Sequence, residues 1–207
     1  AGSAPSVTLT NQTLQFVASG GGPMLRRAVS RYRAQVFAPV ASEVEAWSEG
    51  SSSGRGSGGD DESEQQRATN DVTLTVTVRD AESTRMLATD EDESYELHIS
   101  TDGGGTLTAN STIGAIRGLE TYVQLLDYSD EGDVQLWGLP ITVSDRPRWR
   151  YRGIKVDTSR HFITLPRLRN IIRAMSAAKM SVMQWHIIDG QSFPLISTKF
   201  PALAEKG

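Results

Sequence analysis

Apolar and polar positions alternate in several short stretches along the first 146 residues. The clearest stretch is 72–78, where Val and Leu alternate with Thr, and this pattern predicts a strand with one buried face. The same alternation predicts further strands at 7–17, 95–99, 106–109 and 134–139.

Two stretches with helical spacing interrupt these strands. The first follows the break at 20–23, and its apolar stripe consists of Leu25, Val29, Tyr32 and Val36. The second is capped by Asn110, Ser111 or Thr112, and its apolar stripe consists of Ile116, Leu119, Val123 and Leu126. The order of elements predicts an α+β domain with helices packed on one face of a mainly antiparallel sheet.

The order of predicted elements changes near residue 147, from strands with one buried face to a strand, a helix and a strand. A strand is predicted at 153–156, a helix follows with Thr164 as its cap and Pro166 in its first turn, and 182–188 is a nearly continuous apolar strand. The apolar stripe of this helix consists of Leu165, Leu168, Ile171, Ile172 and Met175. We therefore predict an accessory domain at 1–146 and, at 147–207, one βαβ unit that opens a larger, truncated α/β domain.

Residues 48–67 are rich in Ser, Gly and acidic side chains. Such a composition cannot bury enough apolar surface to offset the entropy lost on ordering. We predict a flexible acidic insertion within the accessory domain. An alternative hypothesis is an interaction module in which this insertion recruits a basic partner.

Composition narrows the classes of function. The 207 residues carry a formal net charge of −4, which gives no basic excess for nucleic acid. The absence of cysteine excludes disulfides, zinc–thiolate sites and thiol nucleophiles. No apolar run is long enough to span a membrane, and residues 1–8 lack the features of a secretory signal. Glycosylation sequons begin at Asn11 and Asn110.

Polar residues gather where the two predicted parallel strands end. Asp157 and His161 follow the first strand, His186 and Asp189 end the second, and Arg152 precedes the first. The loops after such strands carry the active sites of α/β barrels. A metal site is a weaker alternative because no His-x-His pair is present, and a serine triad is weaker still because no Gly-x-Ser-x-Gly turn is present. Each histidine alone is equally consistent with a core residue.

Five segments carry a resemblance to a known family. Residues 152–161 (RGIKVDTSRH), 185–194 (WHIIDGQSFP) and 199–203 (KFPAL) follow one another in order, and 93–97 and 114–125 precede them. The first three resemble the start of the catalytic barrel of glycoside hydrolase family 20, the β-N-acetylhexosaminidases. The last two resemble the N-terminal non-catalytic domain of that family.

The resemblance implies an α+β domain followed by a (β/α)8 TIM barrel. It also implies hydrolysis of terminal, non-reducing β-linked N-acetylglucosamine or N-acetylgalactosamine, with retention of configuration and no cofactor or metal. In this mechanism the acetamido oxygen of the substrate attacks the anomeric carbon. A Glu acid and an adjacent Asp are expected on a later barrel strand, outside this chain, so the fragment alone is predicted to be inactive. The Asp–Glu pairs at 61–62 and 90–91 are interpreted as chance dipeptides.

The resemblance also implies roles for individual residues. Arg152 matches an arginine that binds hydroxyl groups of the terminal sugar. Asp189 matches an active-site aspartate that orients a later histidine, which in turn supports the Glu acid. Supporting roles at the rim are implied for His186, Asp157, Arg160 and His161.

Two positions depart from the family pattern. Gly190 stands where a second acid is usual, and Gln184 stands where His or an aromatic residue is common. These departures motivate an alternative function, an inactive carbohydrate-binding pseudoenzyme. For either function the resemblance implies glycans or chitin oligomers as partners, a secreted or lysosomal or vacuolar location, and a homodimer as one assembly open to the full-length protein.

Overall fold

The computed structural model describes residues 5–48, 71–80, 91–129 and 133–206. Within them the chain forms two compact units, of which the first ends at Pro147 and the second begins at Arg148. The predicted acidic insertion lies outside the described residues, except for its first residue, Ser48, which ends a helix. No described helix is long and apolar enough to cross a membrane.

The first unit combines two sheets with two helices. Its strands are β1 Ser6–Leu9, β2 Leu14–Ser19, β3 Val72–Val78, β4 Tyr95–Ile99, β5 Gly105–Ala109, β6 Leu126–Tyr128, β7 Val134–Trp137 and β8 Ile141–Asp145. Its helices are α1 Gly22–Ser48 and α2 Thr112–Gln124. The five-stranded sheet has the order β2-β3-β5-β4-β8, and the three-stranded sheet has the order β1-β7-β6.

The larger sheet is mixed, so the prediction of a mainly antiparallel sheet is wrong for it. Strand β3 runs parallel to both β2 and β5, whereas β4 runs antiparallel to β5 and β8. Alternating side chains identify a strand but carry no information about the direction of its neighbours. The direction follows from the connections, since a helical crossover such as α1 returns the chain to the same end of the sheet.

The stretch predicted as one strand at 7–17 forms two strands that belong to different sheets. Thr10 and Thr13 stabilise the turn between them. The Thr10 N–H donates to Thr13 Oγ1 at 3.0 Å, and the Thr13 N–H donates to Thr10 Oγ1 at 3.1 Å. The alternation pattern also misses β6 and β8, and Leu126, predicted on a helix stripe, begins β6.

One hydrophobic core combines side chains of the larger sheet, the two helices and the smaller sheet, which contributes Leu9, Leu126, Val134 and Leu136. The apolar side chains of β3 are buried and its threonines are half-buried, as the alternation predicts. The stripe predicted for α1 is also buried. Helix α2 begins after Ser111, whose Oγ accepts a hydrogen bond of 3.0 Å from the N–H of Gly114. This bond confirms a cap at one of the three predicted positions.

The second unit contains β9 Gly153–Asp157, α3 Leu165–Ala177, β10 Val182–His186 and α4 Ala202–Lys206. Strands β9 and β10 pair in parallel, and α3 connects them along the chain, which confirms the predicted βαβ connection. The described residues form no closed barrel.

Fewer apolar side chains of the second unit are buried than the sequence predicts. Helix α3 buries Leu168 and Met175, which lie two turns apart, but Leu165 and Ile172 of the same predicted stripe are exposed. Trp185 of β10 is 45% exposed, so the prediction that β10 is buried on both faces is wrong. The reason is that, within the described residues, a two-stranded sheet packed on one helix covers only part of each apolar surface.

Candidate functional site

Four of the candidate residues lie at the carboxyl ends of β9 and β10: Asp157 and His186 end the strands, and Arg160 and Asp189 lie in the loops that follow. The parallel register places His186 opposite Asp157. The pairing extends one residue further, because the Thr158 N–H donates to the His186 carbonyl at 3.0 Å. The loop after β9 and the loop after β10 therefore start side by side.

Asp157 shapes the loop after β9. Its Oδ1 accepts hydrogen bonds of 3.1 Å from the N–H groups of both Ser159 and Arg160. Partial desolvation raises the pKa of Asp157, but these N–H groups and the electrostatic effects of the neighbouring His186 and Arg160 side chains outweigh it, and the net pKa is lowered. The carboxylate thus stays ionised and holds the turn from which Arg160 projects.

Asp189 shapes the loop after β10. Its Oδ1 accepts from the N–H of Gln191 at 2.8 Å and from the N–H of Ser192 at 3.0 Å. Its Oδ2 forms an ion pair with the guanidinium of Arg160 and lies 3.7 Å from Nε2 of His186. The Asp189 side chain is only 12% exposed, whereas that of Arg160 is 55% exposed. The carboxylate is therefore fixed, and the guanidinium that it holds faces outward.

Further hydrogen bonds fasten the two loops to each other. The Ser159 hydroxyl donates to the Ser192 carbonyl at 3.3 Å, and the indole N–H of Trp185 donates to Thr158 Oγ1 at 2.9 Å. Such cross-loop bonds keep Arg160 and Asp189 in a fixed relative position, as a binding site requires.

Arg152 lies at the opposite end of β9. Its Nε donates to the Lys179 carbonyl at 2.8 Å, and its Nη1 donates to the carbonyls of Trp149 and Arg150 at 2.6 and 3.1 Å. The structure therefore separates Arg152 from the other predicted site residues, and its donors bind the main chain. This position agrees with the sequence, in which Arg152 precedes the strand that the other candidate residues end or follow.

The structure also bears on His161 and on the metal-site alternative. His161 is exposed and forms no hydrogen bond within the part of the chain that the structure describes. Among the same residues, no group of three or more His, Asp or Glu is placed to hold a metal ion.

Sequence reasoning assigned Arg160 only a supporting role, and the structure places it at the centre of the cluster. The sequence contains a signal for the position of Arg160 in this turn. Arg160 stands three residues after Asp157 in the loop that follows a strand, and a short Asp in that position accepts hydrogen bonds from the N–H groups two and three residues on.

Gly190 lies beside this cluster in a position that does not require glycine. A Cβ added there meets no atom within 4 Å, and its φ is not left-handed. Gly190 and Asp189 line a cavity of ≈ 710 Å³, together with Phe193, Lys199, Phe200 and Leu203. The rim is therefore open next to the Asp189 carboxylate.

Two family models match the chain. The model described as "beta-acetyl hexosaminidase like" matches residues 3–125, and the model described as "Glycosyl hydrolase family 20, catalytic domain" matches residues 149–207. The first match covers more than half of the chain, and the second includes the whole of the loop cluster.

Curated proteins from several organisms are similar to this chain. Beta-hexosaminidase 1 of Arabidopsis thaliana is 44% identical over 120 residues, which cover 54% of this chain and 22% of that protein. The chitooligosaccharidolytic beta-N-acetylglucosaminidase of Bombyx mori is 42% identical over 127 residues, which cover 59% of this chain and 21% of that protein. The matched regions span about a fifth of the length of these relatives.

Solved structures agree with the sequence matches. The chitobiase of Flavobacterium johnsoniae superposes with a TM-score of 0.67 at 27% identity, covering 97% of this chain and 27% of that one. The N-acetyl-β-hexosaminidase of Streptomyces plicatus has the same fold over this region, with a TM-score of 0.62 at 21% identity, covering 100% of this chain and 37% of that one. Since both units match models of one family, this chain belongs to the β-hexosaminidases of glycoside hydrolase family 20.

Proposed function

We propose that the protein is a β-N-acetylhexosaminidase that removes terminal, non-reducing β-linked N-acetylglucosamine or N-acetylgalactosamine. The observation that carries the proposal is the Arg160–Asp189 ion pair where the carboxyl ends of two parallel strands meet. Family membership supplies the reaction class, and the cluster supplies a plausible place for the sugar. The barrel that would complete the site is part of the proposal.

Arg160 is the group that we propose to bind the sugar. A guanidinium offers several N–H donors in a fixed plane, and one edge held by a carboxylate leaves other donors for hydroxyl oxygens. The exposed side chain of Arg160 meets this requirement. This assignment replaces Arg152, whose donors bind main-chain carbonyls at the other end of the strand.

Asp189 is the group that we propose to orient the acid machinery. Its Oδ1 is held by two N–H groups and its Oδ2 lies between Arg160 and His186. A carboxylate fixed in this way can accept a further N–H from a histidine and set the orientation of its ring. His186 and Asp157 support this arrangement by holding the two loops in register.

The proposed reaction uses the substrate's own acetamido group. The acetamido oxygen forms a bond to the anomeric carbon while the glycosidic C–O bond breaks. A Glu acid donates its proton to the leaving oxygen, and an adjacent Asp stabilises the charge on the acetamido group. Water then opens the cyclic intermediate and restores the acid, with retention of configuration. The residues of this chain bind and orient the sugar through these steps.

Substrate and location follow as further proposals. The printed name of the Bombyx mori relative refers to chitooligosaccharides, which supports chitin oligomers as substrates, with glycoconjugates as the second class. A secreted, lysosomal or vacuolar location and a homodimer are proposed from the family resemblance. Fractionation of native cells and size-exclusion chromatography would test these two proposals.

An inactive carbohydrate-binding pseudoenzyme is the second candidate. Gly190 favours it, because neither backbone conformation nor packing requires glycine at this position beside Asp189. Tight binding of N-acetylglucosamine without turnover of any β-N-acetylhexosaminide would support this candidate.

Arg160→Ala in the natural full-length polypeptide tests the proposed function. Hydrolysis of an aryl β-N-acetylglucosaminide is measured, and kcat/KM is expected to fall about 100-fold or more because buried sugar hydroxyls lose a charged donor. Arg160→Lys keeps the charge without the planar fork and should recover only part of the loss. Arg27→Ala on the exposed side of α1 is the matched control. Full activity in Arg160→Ala would contradict the proposed role.

A further inference from the structure

A second cavity lies in the first unit, at the ends of β3, β4, β5 and β8. Its volume is ≈ 380 Å³, within the roughly 300–1,000 Å³ typical of ligand pockets. All of its described lining residues belong to the first unit, and none of them is a residue of the loops after β9 and β10.

Three polar side chains form the floor of this cavity. The register places Glu96 opposite Thr108 on one neighbouring strand and opposite Ser144 on the other. Directly opposed side chains on one sheet face lie about 5 Å apart, so the three present a row of oxygen atoms. None of the three forms a hydrogen bond with any residue that the structure describes.

Hydrogen bonds of Asn110 hold one side of the cavity rim in place. Asn110 accepts from Nη1 of Arg79 at 3.3 Å and donates to Oδ2 of Asp92 at 2.7 Å. On the opposite face of the sheet, which packs against α2, the Tyr95 hydroxyl lies 2.6 Å from Thr121 Oγ1 and donates to Oδ2 of Asp145 at 2.9 Å, so β4 and β8 are held together below the cavity. Burial raises the pKa of Tyr95 to about 12, so this donor keeps its proton at physiological pH. A fixed rim lowers the ordering cost of binding.

The lining carries charges of both signs and mixed hydrogen-bonding groups. Arg79 and Arg146 are cationic donors and Glu96 is an anionic acceptor, while Asp145 is paired with Tyr95 on the opposite face of the sheet. A simple anion would face the Glu96 carboxylate, and a simple cation would face the two guanidinium groups. A hydroxyl group both donates and accepts, so a polyhydroxylated ligand can satisfy donors and acceptors together.

We propose that this cavity binds a neutral saccharide, a short segment of a glycan chain. The choice of an N-acetylglucosamine oligomer as probe rests on the proposed function, but the binding argument rests on the cavity alone. Tyr95 is the one aromatic residue of the described lining and is only 3% exposed, so it offers no ring for stacking. Weak binding, governed by hydrogen bonds, is therefore expected.

The test uses the natural full-length polypeptide and the tetramer of N-acetylglucosamine. Production in a bacterial host without N-glycosylation keeps Asn110, a sequon residue that lines the cavity, free of a glycan. Titration calorimetry is performed on Arg160→Ala, which removes the sugar-binding group of the proposed active site. Residual binding of the tetramer is expected in this variant.

Adding Glu96→Gln or Arg146→Ala to Arg160→Ala should each weaken the residual binding about fivefold or more, because each removes a hydrogen-bonding partner of the sugar. Arg27→Ala in the same background is the matched control, and circular dichroism verifies the fold. Thr108→Val provides an independent change if either variant unfolds. No residual binding, or residual binding that these changes leave intact, would overturn the proposal. Full hydrolysis by Arg160→Ala would instead refute the proposed role of Arg160, and no hydrolysis by the wild type would refute the proposed function.

Discussion

Strand β9 carries an arginine beyond each end, and the two differ in what their guanidinium groups bind. At the amino end, Arg152 donates to three main-chain carbonyls. At the carboxyl end, Arg160 is held by one carboxylate, and its side chain is 55% exposed. Both residues lie in the segment that resembles the family motif. The number of donors already engaged therefore differs between the two arginines of one motif, and this difference is the ground on which we propose Arg160 as the sugar-binding residue.

Removing the carboxylate that holds Arg160 is expected to have the largest effect in this set. Asp189→Asn keeps an oxygen for the N–H groups of Gln191 and Ser192 but loses the charge that orients the guanidinium. We expect kcat/KM to fall about 10- to 100-fold in the aryl-glycoside assay. Asp102→Asn, in another loop where an Asp accepts a main-chain N–H, is the matched control. Wild-type activity in Asp189→Asn would mean that Arg160 is positioned by other contacts.

Arg152→Ala should separate stability from activity. Loss of the donors to three carbonyls is expected to lower the free energy of unfolding by about 1–3 kcal/mol in urea titrations. kcat/KM should stay within about twofold of wild type at a temperature where the variant is folded. Arg150→Ala, an exposed neighbour, controls for loss of charge. A large loss of kcat/KM with unchanged stability would reverse the assignment of the two arginines.

Asp157 gives the carboxyl end of β9 a pH dependence. Its folded pKa lies below the ordinary value of 3.8, so its contribution to stability is complete above that value and is lost as pH falls through the folded pKa. Acid unfolding of wild type and Asp157→Asn measures this contribution, and the variant should show a weaker dependence on pH in the acid range. Carboxyl chemical shifts that place the pKa at or above its ordinary value would contradict the assignment.

The smallest effect is expected at Gly190. Because an added Cβ meets no atom within 4 Å and φ is not left-handed, Gly190→Ala should change the free energy of unfolding by less than about 0.5 kcal/mol. Gly103→Ala is the contrasting variant, since φ is +85° and an added Cβ would lie 3.0 Å from Val7. Equal destabilisation by the two substitutions would show that the loop after β10 is more constrained than its geometry indicates.

The spacing of apolar residues predicted the fold best for elements that bury one face against the core. The strand at 72–78 and the stripe of α1 are buried as predicted, because their alternation and helical spacing describe one surface in contact with a core. Strand direction was not predictable, because β2, β3 and β5 are parallel through crossovers that leave no mark on side-chain alternation. The break within 7–17 depends on hydrogen bonds between two threonines, which apolar spacing does not register.

The candidate site was only partly predictable for a similar reason. Asp157, His186 and Asp189 were expected to meet because parallel strands end at the same edge, and the structure brings them together. The ion pair of Arg160 and the main-chain bonds of Arg152 depend on the paths of four loops, which the sequence pattern does not specify. Motif position alone therefore assigned the sugar-binding role to the arginine at the other end of the strand.

The most direct test of this account is a crystal structure of the natural full-length polypeptide with N-acetylglucosamine bound. The account predicts a guanidinium nitrogen of Arg160 at a hydrogen-bond distance, about 2.7–3.2 Å, from a sugar hydroxyl oxygen. It also predicts that Asp189 still holds the same guanidinium and that Arg152 remains on its carbonyls. A sugar bound by Arg152, or one that leaves Arg160 without a contact, would contradict the account.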